Sequence, residues 1–493
     1  MISEELQSAR KFEEDYLPFA SRLPLFHVTA GIGWINDPNG FSVYKGEYHL
    51  FYQYYPYDTK WGPMHWGHVK TSDFIKWERL PAAMAPDHEY DRDGCFSGSA
   101  VELPDGRHLL IYTGVRIRRN ADGVNETFQT QCIAVGDGRD YEKVPFNPVI
   151  TEDMIPEGNS VHDFRDPKIW REGDEYYCVA GNRGADRSGE ILLYKSRDAF
   201  EWEYVSTLAA SHDQYGKMWE CPDFFSLDGK DILLVSPQEM NAIGLEFHPG
   251  NGNVCLIGKV DRTKMCLEAV SAQAIDYGLD FYAPQTLKTG NGRRVMIAWM
   301  QNWETASCKI DELRFFGQMT VPRELSVRGG RLCQNPVREL ENYRGSRVAY
   351  NDILISDETS LHGISGRLVD MTVRVRPAGE GGTYKWFRLR VAKDGERSVS
   401  VIYRPEKGTI KVDRTHSGFP HDIVNVREFP VSTHGNELKM RIIMDLYSLE
   451  IFVNDGEQAA SFVLYTPAEA AAMSMTSDGN VLIDVEKYDL SFD

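Results

Sequence analysis

At 493 residues the chain is too long for one ordinary hydrophobic core, and its length predicts about two to four domains. With 42% hydrophobic and 26% charged residues, its composition is that of an ordinary globular protein. The net charge of −19 disfavours binding to nucleic acid or to anionic membranes, and no stretch reaches the ~18 apolar residues that a membrane span needs.

Residues 1–25 form an acidic N-terminal extension without the apolar segment of a secretion signal. We predict a short surface helix there and a cytoplasmic location for the protein. The eight cysteines show neither a CxxC pair nor zinc-ligand spacing, so free thiols in a reducing compartment are expected. The sequence predicts no cofactor and no metal.

A repeat made of a glycine, two or three mostly polar residues and a short apolar run occurs five times. The copies begin 56 to 67 residues apart, at Gly46, Gly106, Gly173, Gly229 and Gly292. Each run is rich in aromatic or branched residues and is bounded by turn residues, which favours a buried strand. One such run in each four-stranded blade predicts an all-β, five-bladed β-propeller over residues 1–335, with a site where strand ends line the central channel.

The pattern changes near residue 335. We predict a linker that contains a helix at residues 336–350. Residues 351–493 alternate apolar and polar positions between turn residues, which predicts a C-terminal β-sandwich. The predicted sandwich strands cover residues 368–375, 387–391, 399–403, 438–445, 449–453 and 481–485.

Three acidic motifs stand out in the propeller: WINDPNG with Asp37, FRDPK with Asp166 and WECPD with Glu220. Proline directly follows Asp37 and Asp166, which predicts extended geometry for both acids and a place at strand ends. One such motif alone is an ordinary turn. Three of them in successive blades, able to point into one channel, favour a site. Converging carboxyl groups suit glycoside hydrolysis, in which one attacks the anomeric carbon and one protonates the leaving group.

WINDPNG resembles the signature of glycoside hydrolase family 32, which contains invertases, fructan hydrolases and sucrose-6-phosphate hydrolases. Further motifs of this family follow in order: FYQYYP with Gln53, WGPMHWGH with Trp61, Phe96-Ser97-Gly98-Ser99, FRDPK, WECPD, Tyr282-Ala-Pro-Gln and Trp299-Met300. The resemblance continues into the predicted sandwich through KVDRTHSG at 411–418 and LEIFVNDGE at 449–457. Departures are minor: Ile35 replaces the commoner Met or Leu, and Cys95 stands where some members have Trp.

The resemblance implies a role for each motif residue. Asp37 is expected to be the nucleophile and Glu220 the acid/base, with their carboxyl groups about 5 to 5.5 Å apart as retention requires. Asp166, together with Arg165, is expected to hold the fructose hydroxyls and stabilise the transition state. The charge of Arg165 is expected to keep Asp166 ionised. The rest of the fructose pocket is expected to contain Asn36, Gln53, Trp61, Phe96, Ser97, Cys221, Tyr282 and Trp299.

The implied activity is that of a retaining glycoside hydrolase that releases terminal β-D-fructofuranosyl residues from sucrose and short fructo-oligosaccharides. Sucrose-6-phosphate hydrolase, exo-acting inulinase or levanase, and fructosyltransferase share these residues and stay open as alternatives. A catalytically silent sugar-binding propeller is the alternative from a different class. The only partner predicted is a small-molecule substrate; nucleic acid and membrane are not, and the oligomeric state is not readable.

An arginine cluster, Arg116, Arg118 and Arg119, is a local exception in this acidic chain. Arginines can bind phosphate through charge-assisted hydrogen bonds, so the cluster is a candidate contact for the phosphate of sucrose 6-phosphate. The alternative is an ordinary solvated loop. Two metal-like patterns are set aside: His65 and His68, three apart on a strand, face opposite sides, and the run from Asp91 to Gly94 lacks the remaining ligands of a calcium loop.

Overall fold

Five sheets surround a central channel in the computed structural model, which describes residues 2–310, 312–379, 382–419 and 423–492. The first contains β1 (Gly33–Tyr44), β2 (Glu47–Tyr55), β3 (His65–Thr71) and β4 (Glu78–Met84). The second contains β5 (Gly94–Glu102), β6 (His108–Arg119), β7 (Asn125–Gly136) and β8 (Tyr141–Lys143). The third contains β9 (Phe164–Glu172), β10 (Glu175–Arg183), β11 (Gly189–Ser196) and β12 (Glu203–Ala210).

The last two sheets complete the ring. The fourth contains β13 (Met218–Leu227), β14 (Lys230–Gln238), β15 (Val254–Asp261) and β16 (Cys266–Ala274). The fifth starts with β17 (Tyr282–Lys288) and β18 (Arg294–Trp299); the chain then passes through β19 (Phe315–Phe316) and returns in β20 (Arg323–Arg328) and β21 (Arg331–Pro336). The innermost strands β1, β5, β9, β13 and β17 contact one another in order, and β17 contacts β1. The predicted five-bladed propeller is therefore confirmed.

The repeated glycines have one structural role. Each lies in the turn between the first and second strand of its blade, with φ between +64° and +89°. Side chains rarely adopt this left-handed conformation, whereas glycine does so at no steric cost. The spacing of the repeat is therefore the spacing of these hairpins, which explains why it marks the blades.

Two further sheets form the C-terminal sandwich. One contains β22 (Arg344–Ile355), β23 (Val369–Pro377), β28 (Leu438–Asp445), β29 (Ser448–Val453), β30 (Gln458–Val463) and β32 (Val481–Leu490). The other contains β24 (Tyr384–Asp394), β25 (Arg397–Arg404), β26 (Thr409–Asp413), β27 (Val426–Pro430) and β31 (Ala472–Gly479). The sandwich is confirmed, and each of the six predicted strands overlaps an observed one.

Short helices connect these parts. Single-turn or two-turn 3-10 helices span Leu17–Phe19, Glu152–Met154, Trp303–Thr305, Arg338–Tyr343 and Pro405–Lys407. The segment predicted as a linker, 336–350, contains one of them and the start of β22. The division into 1–335, 336–350 and 351–493 stays a prediction. None of the described helices has the length and apolar character needed to cross a bilayer.

The only α-helix among the described residues is α1 (Glu4–Tyr16), where a surface helix was predicted. Ser3 caps its start by accepting a hydrogen bond from the Leu6 backbone at 3.2 Å. One face docks on the outer strand of the first blade: Arg10 Nε donates to the Ala82 carbonyl at 2.9 Å, and the Glu13 carboxylate accepts from the Ala82 N–H at 3.0 Å. These bonds satisfy backbone groups of an exposed sheet edge.

Buried ion pairs join the propeller to the sandwich. Arg323 of β20 is fully buried and donates to Asp276 at 2.8 Å and to Glu450 of β29 at 3.1 Å. His27 lies between Glu450 (2.8 Å) and Asp445 (3.0 Å). Burial alone would lower the pKa of His27, but the hydrogen bonds to these two acids outweigh it and raise that pKa to about 9. Because Glu450 lies in LEIFVNDGE, this sandwich motif contributes to the interface between the two parts.

Candidate active site

A β-bulge interrupts each of the five innermost strands near its start. The strand-pairing shifts lie between Ile35 and Pro38, Phe96 and Gly98, Arg165 and Lys168, Glu220 and Asp223, and Tyr282 and Gln285. An extra residue in one strand breaks the in-out alternation and redirects the side chains next to it. Five bulges at the same level therefore turn the predicted site residues toward the channel.

Backbone strain accompanies three of these bulges. Asp166, Cys221 and Ala283 have φ values of +67°, +49° and +53°. The prediction that the following proline holds Asp166 in extended geometry is wrong. In its left-handed conformation the Asp166 N–H donates a hydrogen bond to Thr113 Oγ1 at 2.9 Å. Left-handed non-glycine residues cost on the order of 1–3 kcal/mol each and cluster at functional sites.

The blades that carry the acids also differ from the prediction. Asp37, Asp166 and Glu220 lie on β1, β9 and β13 of the first, third and fourth blades rather than on successive ones. Asp37 is the fifth residue of β1, inside the strand rather than at its end. The intervening second blade contributes Ser97. The proline after Asp37 does not mark a strand end, because a β-bulge at this point allows β1 to continue past the proline.

Asp37 is buried, and only one of its carboxyl oxygens is occupied. Ser97 Oγ donates to Oδ2 at 2.6 Å, and the Cys221 thiol approaches the same atom at 3.5 Å. Among the described residues, no group hydrogen-bonds Oδ1. Burial, followed by the negative charge of Glu220, raises the pKa of Asp37 to about 6, while the Ser97 hydrogen bond opposes the rise.

Asp166 lies on the other side of the same thiol. Its Oδ2 accepts a hydrogen bond from the Cys221 N–H at 2.9 Å and lies 3.5 Å from Cys221 Sγ. Burial and the charges of the nearby acids also raise the pKa of the Cys221 thiol, so it stays protonated and acts as a donor. One residue thus bridges Asp37 and Asp166.

The expected effect of Arg165 on Asp166 is wrong in its net direction. Burial, then repulsion by Glu220, raises the pKa of Asp166, and the opposing charge of Arg165 is outweighed. The guanidinium instead bonds to Glu220 at 2.9 Å, to Gln129 at 3.2 Å and to Asp163 at 3.4 Å. The sequence could not reveal this geometry, because the partners of Arg165 are distant in the chain: Glu220 lies on β13 and Gln129 on β7.

Glu220 is held by three donors. Its Oε1 accepts from Arg165, and its Oε2 accepts from the Tyr282 hydroxyl at 2.6 Å and from Gln238 Nε2 at 2.8 Å. Gln238 was not among the predicted residues. It is the last residue of β14 and lies nine residues after Gly229, whereas Gln53 and Thr113 lie seven residues after the glycines of the first and second repeats. The repeat itself therefore gave no signal that pointed to Gln238.

The other predicted pocket residues lie around these acids. Asn36 accepts from Trp34 Nε1 at 2.8 Å, and Gln53 donates to the Cys95 carbonyl at 2.9 Å. Trp299 is fully buried, with its ring 5.1 Å from that of Trp303, which the sequence analysis missed. These residues therefore shape the pocket through packing and local bonds.

The mouth of the channel carries exposed aromatic surface. Trp61 is 47% exposed and meets the edge of the Phe96 ring at 6.0 Å. An exposed indole beside a polar pocket is typical of surfaces that bind a partly apolar ligand. Trp61 and Phe96 thus lie where a substrate would enter.

The three arginines of the cluster do not lie on the same face of β6. Arg116 and Arg118 share one face of β6, both over the Phe128 ring at 5.5 and 5.6 Å, whereas Arg119 donates to the Gly123 carbonyl at the hairpin turn. Arg116 also pairs with Glu152 at 3.4 Å. Gly94, the first residue of β5, pairs with Val115, so the arginines extend beyond the start of the innermost strand, on the mouth side. Only Arg116 and Arg118 are brought together.

A group outside the channel has the spacing of a cation site. Asp87, His88 and Asp91 lie close enough to share an ion. The ammonium of Lys143 already lies 2.5 Å from Asp87 and 2.5 Å from Asp91. A buried lysine thus supplies the positive charge that these acids require.

Comparison with known proteins agrees with this geometry. The model of the glycosyl hydrolases family 32 N-terminal domain matches residues 27–336, and that of the family 32 C terminal matches residues 339–490. A sucrose-6-phosphate hydrolase from Zymomonas mobilis is 37% identical over 88% of this chain and 84% of its own. A raffinose invertase from Escherichia coli is 35% identical over 92% of this chain and 91% of its own.

A solved structure extends the similarity to the fold. The GH32 beta-fructofuranosidase of Bombyx mori, in complex with sucrose, superposes with a TM-score of 0.84 and 33% identity, covering 99% of both chains. The two family models together span nearly the whole chain described here. The chain belongs to glycosyl hydrolase family 32 and is a glycosidase.

Proposed function

We propose that this glycosidase releases terminal β-D-fructofuranosyl residues from sucrose and short fructo-oligosaccharides, with retention of configuration. The observation that carries the proposal is the contrast between two acids. Asp37 keeps one carboxyl oxygen without a hydrogen bond, whereas Glu220 is bonded through both oxygens to Arg165, Gln238 and Tyr282. A nucleophile needs an uncommitted oxygen, and an acid/base needs to be held in place.

In the first step, ionised Asp37 attacks the anomeric carbon of the fructosyl unit. The bond from that carbon to the leaving oxygen breaks as Glu220 transfers a proton to the oxygen. In the second step, Glu220 removes a proton from water, which attacks the same carbon and releases Asp37. Asp166 accepts hydrogen bonds from the fructose hydroxyls and stabilises the positive charge that develops on the ring.

Two of the three neighbouring carboxyl groups have raised pKa values. Burial, followed by the negative charge of Glu220, raises the pKa of both Asp37 and Asp166. The pocket therefore opposes ionisation of these two acids at the same time, and their titrations are linked.

The proposed substrates are supported by the names of the similar proteins. Several are named sucrose-6-phosphate hydrolase or invertase, one is a levanase, and the Bombyx mori structure contains sucrose. The intact acids oppose the silent sugar-binding alternative, while exo-fructanase and fructosyltransferase activities would use the same three residues. We also propose a cytoplasmic location, which the eight free thiols support.

Sucrose 6-phosphate is the second candidate substrate. Arg116 and Arg118 share one face of a strand that extends toward the mouth, and the leaving glucosyl unit would lie outside the fructose pocket. Guanidinium groups bind phosphate through charge-assisted, often bidentate hydrogen bonds. Arg119 is no longer part of this candidate contact.

The acid/base role predicts a dependence on the leaving group. Glu220→Ala should lower kcat for sucrose by about 100- to 10,000-fold, the usual contribution of a positioned acid. Fructosides with good aryl leaving groups should lose far less, and added azide should restore their turnover because it needs no base. Initial rates over a leaving-group series measure this. Glu239→Ala, which alters a neighbouring exposed acid, should behave as wild type. Equal slowing across the series without azide rescue would remove Glu220 from this role.

The raised pKa of Asp37 predicts the acid limb of the pH profile. The nucleophile must be ionised, so kcat/KM should fall as the pH drops through about 6 rather than near the ordinary carboxyl value. Ser97→Ala removes a donor that favours the ionised form, and the limb should move to higher pH. Ser99→Ala changes a buried hydroxyl on the same strand that bonds the Pro167 carbonyl instead, and should leave the limb in place. A limb near pH 4, or one indifferent to Ser97, contradicts this account.

The arginine pair predicts substrate discrimination. Replacing Arg116 and Arg118 by Glu should raise KM for sucrose 6-phosphate at least about tenfold, equal to ~1.4 kcal/mol, and leave KM for sucrose nearly unchanged. Arg119→Glu changes the same charge on the opposite face and serves as the control. Steady-state kinetics with both substrates decide. If both sugars are affected equally, or if the wild type does not prefer the phosphorylated sugar, the arginines do not bind the phosphate and belong to an ordinary solvated hairpin.

A further inference from the structure

One position of the blade repeat lies at the level of the active site in every blade. Each residue at this position lies on the second strand of its blade, opposite or beside the bulge in the first strand. It is the seventh residue after the hairpin glycine: Gln53, Thr113, Ala180, Ser236 and Trp299 in the five blades. A side chain at this position reaches the next blade, since that of Gln53 donates to the Cys95 carbonyl of β5 at 2.9 Å.

Two of these residues have hydroxyl groups that bind a bulge in the next blade. Thr113 Oγ1 accepts a hydrogen bond from the Asp166 N–H, and Ser236 Oγ accepts one from the Ala283 N–H, both at 2.9 Å. Asp166 and Ala283 are the left-handed residues of their bulges, with φ of +67° and +53°. Because Thr113 and Ser236 are fully buried, bulk water does not replace these acceptors.

The third blade lacks such a hydroxyl, because its seventh residue is Ala180. The left-handed residue of the following blade, Cys221, donates its N–H to the Asp166 carboxylate instead, at 2.9 Å. Asp166 thus takes the place of the missing hydroxyl. Its backbone is bound to Thr113 of the second blade and its carboxylate to Cys221 of the fourth.

Thr113 is itself held in one orientation. Its hydroxyl donates to Gln131 Oε1 at 2.9 Å, and Gln131 Nε2 donates to the Phe164 carbonyl at 3.0 Å. The same hydroxyl lies 3.2 Å from the Ser97 carbonyl. Because the hydroxyl proton points toward these acceptors, a lone pair of Oγ1 stays directed at the Asp166 N–H.

Ser236 holds the tyrosine that bonds the acid/base. The Tyr282 hydroxyl, which donates to Glu220 at 2.6 Å, also lies 3.1 Å from the Ser236 carbonyl. Ser236 Oγ binds the backbone N–H directly after Tyr282, that of Ala283. Ser236 therefore contacts both the backbone end and the hydroxyl end of the residue that orients Glu220.

We propose that Thr113 and Ser236 are positioning residues of the reaction. Thr113 sets the position of Asp166, and Ser236 sets that of Tyr282 and, through it, that of the Glu220 carboxyl group. Because both residues are fully buried, each acts through its neighbour rather than on the substrate. This proposal rests on the proposed function, which assigns the roles of Asp166 and Glu220.

The first test removes the hydroxyl of Thr113 and keeps its shape. Thr113→Val should lower kcat for sucrose at least about tenfold, because a shift of ~1 Å in a reacting group costs up to about 100-fold in rate. Thr113→Ser keeps the acceptor and should stay within about threefold of the wild type. If Thr113→Ser loses as much as Thr113→Val, or if neither loses turnover, the hydroxyl does not position Asp166.

Thr29→Val is the matched control. Thr29 is also buried, and its Oγ1 accepts a hydrogen bond at 2.9 Å from the N–H of a left-handed residue, Gly31 with φ of +82°. Gly31 lies beside Leu17 and Arg79. The control should therefore leave kcat unchanged, and thermal melting verifies that both valine variants are folded.

The leaving group separates the two hydroxyls. Thr113→Val should slow sucrose and aryl fructosides alike, because Asp166 stabilises the charge on the fructosyl ring in both. Ser236→Ala should slow sucrose at least about fivefold more than aryl fructosides, since only sucrose needs protonation by Glu220 at departure. Equal slowing of all substrates by Ser236→Ala would overturn its role.

A double-mutant cycle and a crystal structure complete the test. In the Asp166→Asn enzyme, Thr113→Val should lower kcat less than about twofold, because residues that act through each other are not additive. An equal loss in both backgrounds would overturn the proposal. If Asp166→Asn alone keeps full turnover, the proposed function fails instead. The crystal structure of Thr113→Val then decides: Asp166 should leave its left-handed conformation, and an unchanged Asp166 overturns the positioning role.

Discussion

Burial of Asp37 and Asp166 close to the charge of Glu220 is the constraint around which this active site is organised. Burial and the charge of Glu220 raise the pKa values of Asp37 and Asp166, so the ionised forms require compensation. The protein supplies it unevenly: Arg165 faces Glu220, the Cys221 N–H faces Asp166, and Asp37 receives mainly the Ser97 hydroxyl. This uneven distribution is the physical basis for assigning them different roles.

Convergence of these acids depends on the propeller frame. Each innermost strand is interrupted by a bulge at the same level, and residues in left-handed conformations occur in three of them. Strained segments persist only where the surroundings over-determine them. Buried ion pairs of Arg323 and His27 with Glu450 hold the sandwich against the propeller.

Much of this arrangement could be predicted from the sequence. The repeated glycines mark hairpin turns that need positive φ, so the blade count followed from local chemistry. The acids were found because WINDPNG, FRDPK and WECPD are local motifs. Gln238 and Trp303 were missed because their roles arise from contacts between distant segments. The direction of the Asp166 pKa shift was wrong for the same reason, since burial and the charge of Glu220, which depend on the fold, outweigh the charge of Arg165.

The stereochemistry of the first product tests the central claim most directly. If Asp37 attacks the fructosyl carbon and water then displaces it, two inversions give net retention. Proton NMR during the first turnovers on sucrose should therefore show β-fructofuranose before mutarotation produces the other anomers and ring forms. Release of α-fructofuranose as the first product would mean a single displacement by water, and Asp37 would not be the nucleophile.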